Sequence, residues 1–278
     1  NIGSVATPVG NPQNAYIATV SGISFVEFSM ALMPTAMLSL VVAMVIIWLI
    51  FRKDLCDENG HCLRIDAEGV RTIVNFEGMD RSVWIVLVIM FSVFLGFIAS
   101  DFLRIPLAVV AFIGGSVALF ILPLFNRKTN ARSILAGVDW TLLLFFVGLF
   151  IVLEGVSVSG LLEEMMTVFQ SAVDGGLTQV PGLTLFTALL SNLISNVPAV
   201  ILLSPFVSTL GDNSLWIALA ASSTLAGNAT ILGAAANVIV AESGERLGAD
   251  LPFWKFVKAG LPITIATLFI SVLILEIM

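Results

Sequence analysis

Residues 229–237 read Ala-Thr-Ile-Leu-Gly-Ala-Ala-Ala-Asn, and residues 6–14 read Ala-Thr-Pro-Val-Gly-Asn-Pro-Gln-Asn. Ala, Thr, Gly and Asn fall at the same places in both. A second echo follows each copy: Phe25, Phe28, Ala31 and Pro34 are matched by Phe253, Phe256, Ala259 and Pro262, after five extra residues. Two linked blocks at fixed spacing signal an internal repeat. Both copies lie in apolar surroundings, yet both carry Gly, Asn, Thr or Ser, which weaken a helix by competing for backbone groups or freeing the backbone. Inside a bilayer such a break is tolerated only where protein buries it or it lines a wet cavity. Paired interruptions in matching halves point to the binding site of a transporter.

The composition agrees. The chain is 58% hydrophobic and 11% charged, where an ordinary soluble domain carries about 25% charged residues. It reads as an integral membrane protein. The net charge of −7 says little about partners, because orientation in a membrane follows Lys and Arg placement. The basic residues are scattered at loop positions, so no nucleic-acid surface is expected. Cys56 and Cys62 flank His61 in a polar loop, but this spacing is not that of a zinc site. Reduced cytoplasmic thiols are the simpler reading. Repeat two has a run-up, residues 82–224, before its motif, whereas the chain opens on Asn1 inside repeat one. A comparable N-terminal portion is therefore expected to precede residue 1.

The sequence predicts an all-α polytopic membrane protein with a re-entrant hairpin and broken helices. Residues 1–53 form the end of repeat one, 54–81 a cytoplasmic linker and 82–278 repeat two. Residues 20–33 read as a short interfacial helix, after which Pro34 opens a span to about Phe51, near the ~20 residues that cross a bilayer. Scaffold helices follow over 82–156: spans Ser82–Ser100, Ile105–Phe125 and Trp140–Leu153. Gly160–Val173 is amphipathic and suits the membrane surface. Residues 183–206 are apolar at both ends, but Ser191-Asn192-Leu-Ile-Ser195-Asn196-Val-Pro198 interrupts them. A kinked span is one reading. A re-entrant hairpin is favoured, since four polar residues in six need partners at membrane depth. A broken helix over 214–242, a second interfacial helix at Phe253–Lys258 and a last span, 261–278, complete the chain.

Loops 52–81, 126–133 and 242–258 hold five, three and three of the twelve Lys and Arg residues. With 183–206 as a hairpin, all three loops fall on one side, hence the cytoplasmic one. A full span there would put 242–258 on the wrong side. The same count turns the halves over: Phe25–Phe28 falls outside and its counterpart, with Lys255 and Lys258, inside. An inverted repeat of this kind is an architecture of alternating-access transporters.

Asn1–Asn14 and Gly227–Glu242 resemble the signature stretches of the ion transporter superfamily. They look most like anion permeases of the arsenite-pump and sodium/proton-antiporter group, related to the divalent anion:sodium symporters. Ser191–Pro198 resembles that family's hairpin tip, and Val138-Asp139-Trp140 with its Phe-rich span also fits. The resemblance implies a transport domain beside a scaffold whose helices often form a homodimer. It implies that substrate and coupling ion are held by Ser191, Asn192, Ser195 and Asn196 of the tip, by Asn228, Thr230 and Asn237, and by Ser4, Thr7, Asn11 and Asn14 of repeat one. A Na⁺ position near Ser191, Asn192, Asn228 and Thr230 is part of that expectation.

The residue types suit the task. Hydroxyls and amides supply neutral donors to an oxyanion and oxygens to Na⁺. Helix glue is the bland alternative for any single one, but their concentration in three interruptions favours a site. Asp139, Glu154 and Glu242 sit near span ends, and no carboxylate pair suits a dedicated proton antiporter. The expected function is ion-coupled transport of a small anion, either an inorganic oxyanion or a di- or tricarboxylate. It needs no cofactor beyond Na⁺ or H⁺ as coupling ion, and belongs in the cytoplasmic membrane of a prokaryote. Arsenite or antimonite efflux and sodium/proton antiport are the alternatives on the same fold, and a channel is the remote one. An enzyme is not expected: no His-Glu-x-x-His or Gly-x-Ser-x-Gly occurs and no His lies in a span.

Overall fold

The computed structural model describes residues 1–55, 81–125, 130–138, 140–160, 178–246 and 251–277, with 163–164, 167–168 and 170–171 between them. Nearly all of the 54–81 linker, half of the 160–173 surface helix, His61, both cysteines and Asp139 lie outside these residues. The described elements are helical, and four helices are long and apolar enough to cross a membrane. The chain divides into two compact units, Asn1–Arg52 with Val147–Met278, and Lys53–Phe146.

In the smaller unit α3 (Arg81–Leu103) and α4 (Leu107–Phe125) form an antiparallel pair. They are joined through Arg104, whose φ is 55°. A Cβ on Gly114 would strike the Val93 side chain, and one on Gly96 would meet Val110 Cγ1 at 2.8 Å. Small residues let the two rods approach. The short α5 (Ala131–Ala136) starts on a capping box between Asn130 and Ser133. Helix α6 (Trp140–Val158) begins in this unit, which ends at Phe146.

The larger unit is built around α9 (Asn213–Ala226), in which every residue from Leu215 to Ala226 is buried. The Asp212 carboxylate starts it by accepting from Ser214 N at 2.8 Å. Phe28 and Leu32 of α2 (Phe25–Leu55), Leu183 of α7 (Gln179–Ile194) and Val200 and Leu203 of α8 (Asn196–Leu210) share its core. Outward, α2 leaves Met37, Leu40 and Trp48 exposed, the kind of surface that lipid rather than water covers.

Two expectations are corrected. The interfacial helices at 20–33 and 253–258 are not separate: α2 runs unbroken through Pro34, and α11 (Phe253–Ile277) through Pro262. A proline removes one backbone donor, and in a long apolar helix the remaining bonds carry the rod past it. Both prolines sit ten residues into their helix, so even this departure repeats.

Candidate functional site

The two nine-residue motifs fold alike. In repeat one a 3₁₀ turn, Gly3–Ala6, leads to extended Thr7, and α1 (Pro12–Ser21) begins after Asn11, whose side chain caps it by accepting from Asn14 N at 2.8 Å. Asn14 Nδ2 donates to the carbonyls of Ser4 and Thr7 at 3.1 and 3.2 Å. In repeat two Asn237 Nδ2 donates to the carbonyls of Gly227 and Thr230 at 2.6 and 3.0 Å, where α10 (Ala235–Arg246) begins. Gly10 N and Gly233 N close the same turn on Thr7 O and Thr230 O at 3.2 and 3.1 Å. Each of these glycines lies so close to backbone that a Cβ would meet Ser4 O in one copy and Gly227 O in the other. At Gly10 only glycine leaves that space, and at Gly233 a Cβ 3.1 Å from Gly227 O would force its neighbours to shift.

The copies also reach across to each other. In the repeat register Asn1 matches Thr224. Asn1 Nδ2 donates to Asn237 Oδ1 at 3.1 Å, and Thr224 Oγ1 donates to Asn14 Oδ1 at 3.3 Å. Reciprocal contacts of this kind are what a two-fold relation between halves produces. Thr224 also accepts from Asn11 and Gln13, and Asn1 donates to Asn228 Oδ1 as well. Sequence reading missed Asn1, Gln13 and Thr224. Extending the repeat five residues upstream would have found the first and last.

The hairpin tip closes on the second loop. Helices α7 and α8, about 24 and 22 Å long, are each short of the ~30 Å of a bilayer core. They are divided at Ser195, not at Pro198, which lies in the first turn of α8. Ser195 holds φ 75° and ψ 163°, a conformation nearly confined to glycine and costing about 1–3 kcal/mol. Ser191 Oγ donates to Ser223 O at 3.1 Å, and Asn192 Nδ2 to Ala226 O at 3.1 Å. Oxygens surround the Asn196 amide. With its nitrogen turned to them it donates to Ser223 O and Gly233 O at 3.0 and 2.7 Å. Asn196, Asn14 and Asn237 thus hold backbone in place. Asn228 Nδ2 and Asn192 Oδ1 differ: one donor and one acceptor, both buried, neither with a protein partner. Asn228 O is also approached by α11, where a Cβ on Gly260 would strike it.

Beside this junction lies a cavity of about 350 Å³ lined by Asn1, Asn228, Asn237, Phe51, Lys255 and Ile263. Lys255 Nζ sits 5.8 Å over the Phe51 ring, a cation–π distance. The junction therefore offers amide donors, amide and carbonyl acceptors and, at the cavity, one ammonium.

The model of the citrate transporter family matches residues 1–215. The chain belongs to that family. Its relatives include a 46 kDa membrane protein of Mycobacterium leprae (strain TN), 30% identical over 96% of this chain and 63% of the relative. A silicon efflux transporter of Oryza sativa subsp. japonica is 29% identical over 98% of the chain and 67% of the relative. The arsenical pump membrane protein of Escherichia coli is 28% identical over 69% and 44%. These agree with the resemblance to anion permeases and with transport rather than enzymatic chemistry. The chain spans about 63% of the length of the mycobacterial relatives it matches.

Proposed function

We propose that this member of the citrate transporter family carries a small anion, an oxyanion or a di- or tricarboxylate, together with Na⁺, by alternating access of an inverted repeat. The observation that carries the reading is the pair of orphaned amide atoms where the hairpin tip meets the second loop. A buried donor without a partner, Asn228 Nδ2, suits an anion's oxygen, and a buried acceptor, Asn192 Oδ1, suits a cation. Both are occluded, as expected of a site that opens in turn to either side. The Lys255 ammonium at the adjoining cavity attracts an anion towards Asn228. The reciprocal contacts between the loops support two related halves, and the distribution of Lys and Arg supports their inversion.

Na⁺ is favoured over H⁺ because the residues meeting here are amides and hydroxyls, which hold a metal cation without titrating. A proton route needs a carboxylate or imidazole of tuned pKa. The test is uptake by proteoliposomes across a panel of anions, citrate and arsenite among them, under an imposed Na⁺ gradient and, separately, a pH gradient. Saturable uptake of one anion that follows Na⁺ supports the reading. Uptake that ignores Na⁺ and tracks pH excludes the Na⁺ part. Conductance far above carrier turnover would make it a channel.

A further inference from the structure

Helices α7 and α11 each carry hydroxyls at one spacing. Thr184, Thr187 and Ser191 lie at i, i+3 and i+7 of α7, and Thr264, Thr267 and Ser271 at i, i+3 and i+7 of α11. This spacing puts each set on one helix face, and all six residues are buried. The two helices pack on each other and on α9.

Their register follows from two anchors. At one end Thr178 Oγ1, just before α7, donates to Glu276 Oε1 at 3.0 Å. At the other, Asn192 of α7 and Gly260 of α11 both approach the second loop, at Ala226 O and Asn228 O. The helices therefore run antiparallel. At 1.5 Å per residue, Thr184 and Ser271 lie about 9 and 8 Å from the first anchor, Thr187 and Thr267 both about 14 Å, and Ser191 and Thr264 about 20 and 18 Å. The hydroxyls come in three matched levels, the deepest being the tip itself.

Hydroxyls inside these helices usually bond back to their own turn. Ser204, Ser222, Thr264 and Thr267 donate to carbonyls three or four residues earlier. Thr184 Oγ1, Thr187 Oγ1 and Ser271 Oγ do not: they have no protein partner, at 4, 0 and 1% exposure. Three such orphans at two adjoining levels, on the faces that α7 and α11 bury against each other and against α9, are what a file of bound water would satisfy.

We propose that α7 and α11 enclose a hydrated file of hydroxyls, which gives water and a small monovalent cation a route from the Thr178–Glu276 end to the hairpin tip. Glu276 is exposed at its mouth and favours cations there. The cation part rests on the transport reading above. The hydration does not, and the test separates the two.

The experiment uses the full chain in proteoliposomes, with Cys56→Ser and Cys62→Ser. Single cysteines replace Thr184, Thr187, Ser271 and, as control, Leu185, which points away from the file and is 54% exposed in the isolated chain. A positively charged methanethiosulfonate is added without transport substrate. Thr184→Cys and Ser271→Cys are expected to react at least tenfold faster than Leu185→Cys, and severalfold faster than with a negatively charged reagent of the same size. Adding Thr184→Val, nearly isosteric, to Thr187→Cys should slow labelling at 187 about tenfold. Rates at 184 and 271 no faster than at 185, or a rate at 187 indifferent to Thr184→Val, would overturn the file and leave the hydroxyls as helix glue. Fast labelling without charge preference keeps the water and removes the cation route. Labelling in a chain that transports nothing leaves the file standing and refutes only the transport reading.

Discussion

Asparagine does two jobs at this junction, and mutation separates them. Asn196 donates to the carbonyls of Ser223 and Gly233; Ser223 O keeps Ser191 Oγ as a donor but Gly233 O loses this one, so Asn196→Ala should cost about 1–3 kcal/mol of stability, seen as a lower melting temperature alongside lost flux. Asn228 Nδ2 serves no protein group, and its Oδ1 only shares Asn1 Nδ2 with Asn237 Oδ1, so Asn228→Ala should lower melting less than Asn196→Ala while flux falls at least tenfold. Equal melting losses in the two variants would remove the distinction. An amide on a ligand and an amide on a carbonyl look identical in one sequence, and only geometry divides them. Ser195 offers a second test at this scale. Its φ of 75° suits glycine, so Ser195→Gly should raise stability by about 1 kcal/mol, measured by thermal unfolding in detergent, and Ser195→Val should lower it.

Elements were legible where polarity interrupts an apolar run. The interruption at Ser191–Pro198 and the break inside 214–242 are legible because Asn, Ser, Thr and Gly cluster there. The continuity of α2 and α11 was not, because Pro34 and Pro262 look like helix starts in sequence, and only packing along the whole rod shows that each helix runs through. The close approach of α11 to the second loop was equally hidden. Nothing in the sequence of Gly260 marks it as the residue that lets a helix touch Asn228 O. Gly260→Ala should push α11 from the loop, costing about 1–3 kcal/mol and most of the flux. A Gly260→Ala protein with normal melting and normal uptake would show that the approach is not needed.

For the whole molecule, the repeat is legible from four matched positions in the nine-residue motif and four more after it, and the paired contacts Asn1–Asn237 and Thr224–Asn14 give it physical form. The proposed inversion of its halves rests on charge placement, which labelling checks. A membrane-impermeant thiol reagent applied outside should reach Asp174→Cys but not Asn59→Cys or Ala249→Cys; reaction at 249 would undo the hairpin topology. Substrate choice has no such sequence signal, because amides and hydroxyls accept many anions. The most direct measurement of the transport reading is therefore saturable anion uptake in Na⁺-loaded against Na⁺-free proteoliposomes, comparing wild type with Asn228→Ala. The expected result is Na⁺-dependent, saturable uptake in the wild type, and in Asn228→Ala at least a tenfold loss or a markedly higher Na⁺ requirement. Identical uptake by the two proteins would contradict it.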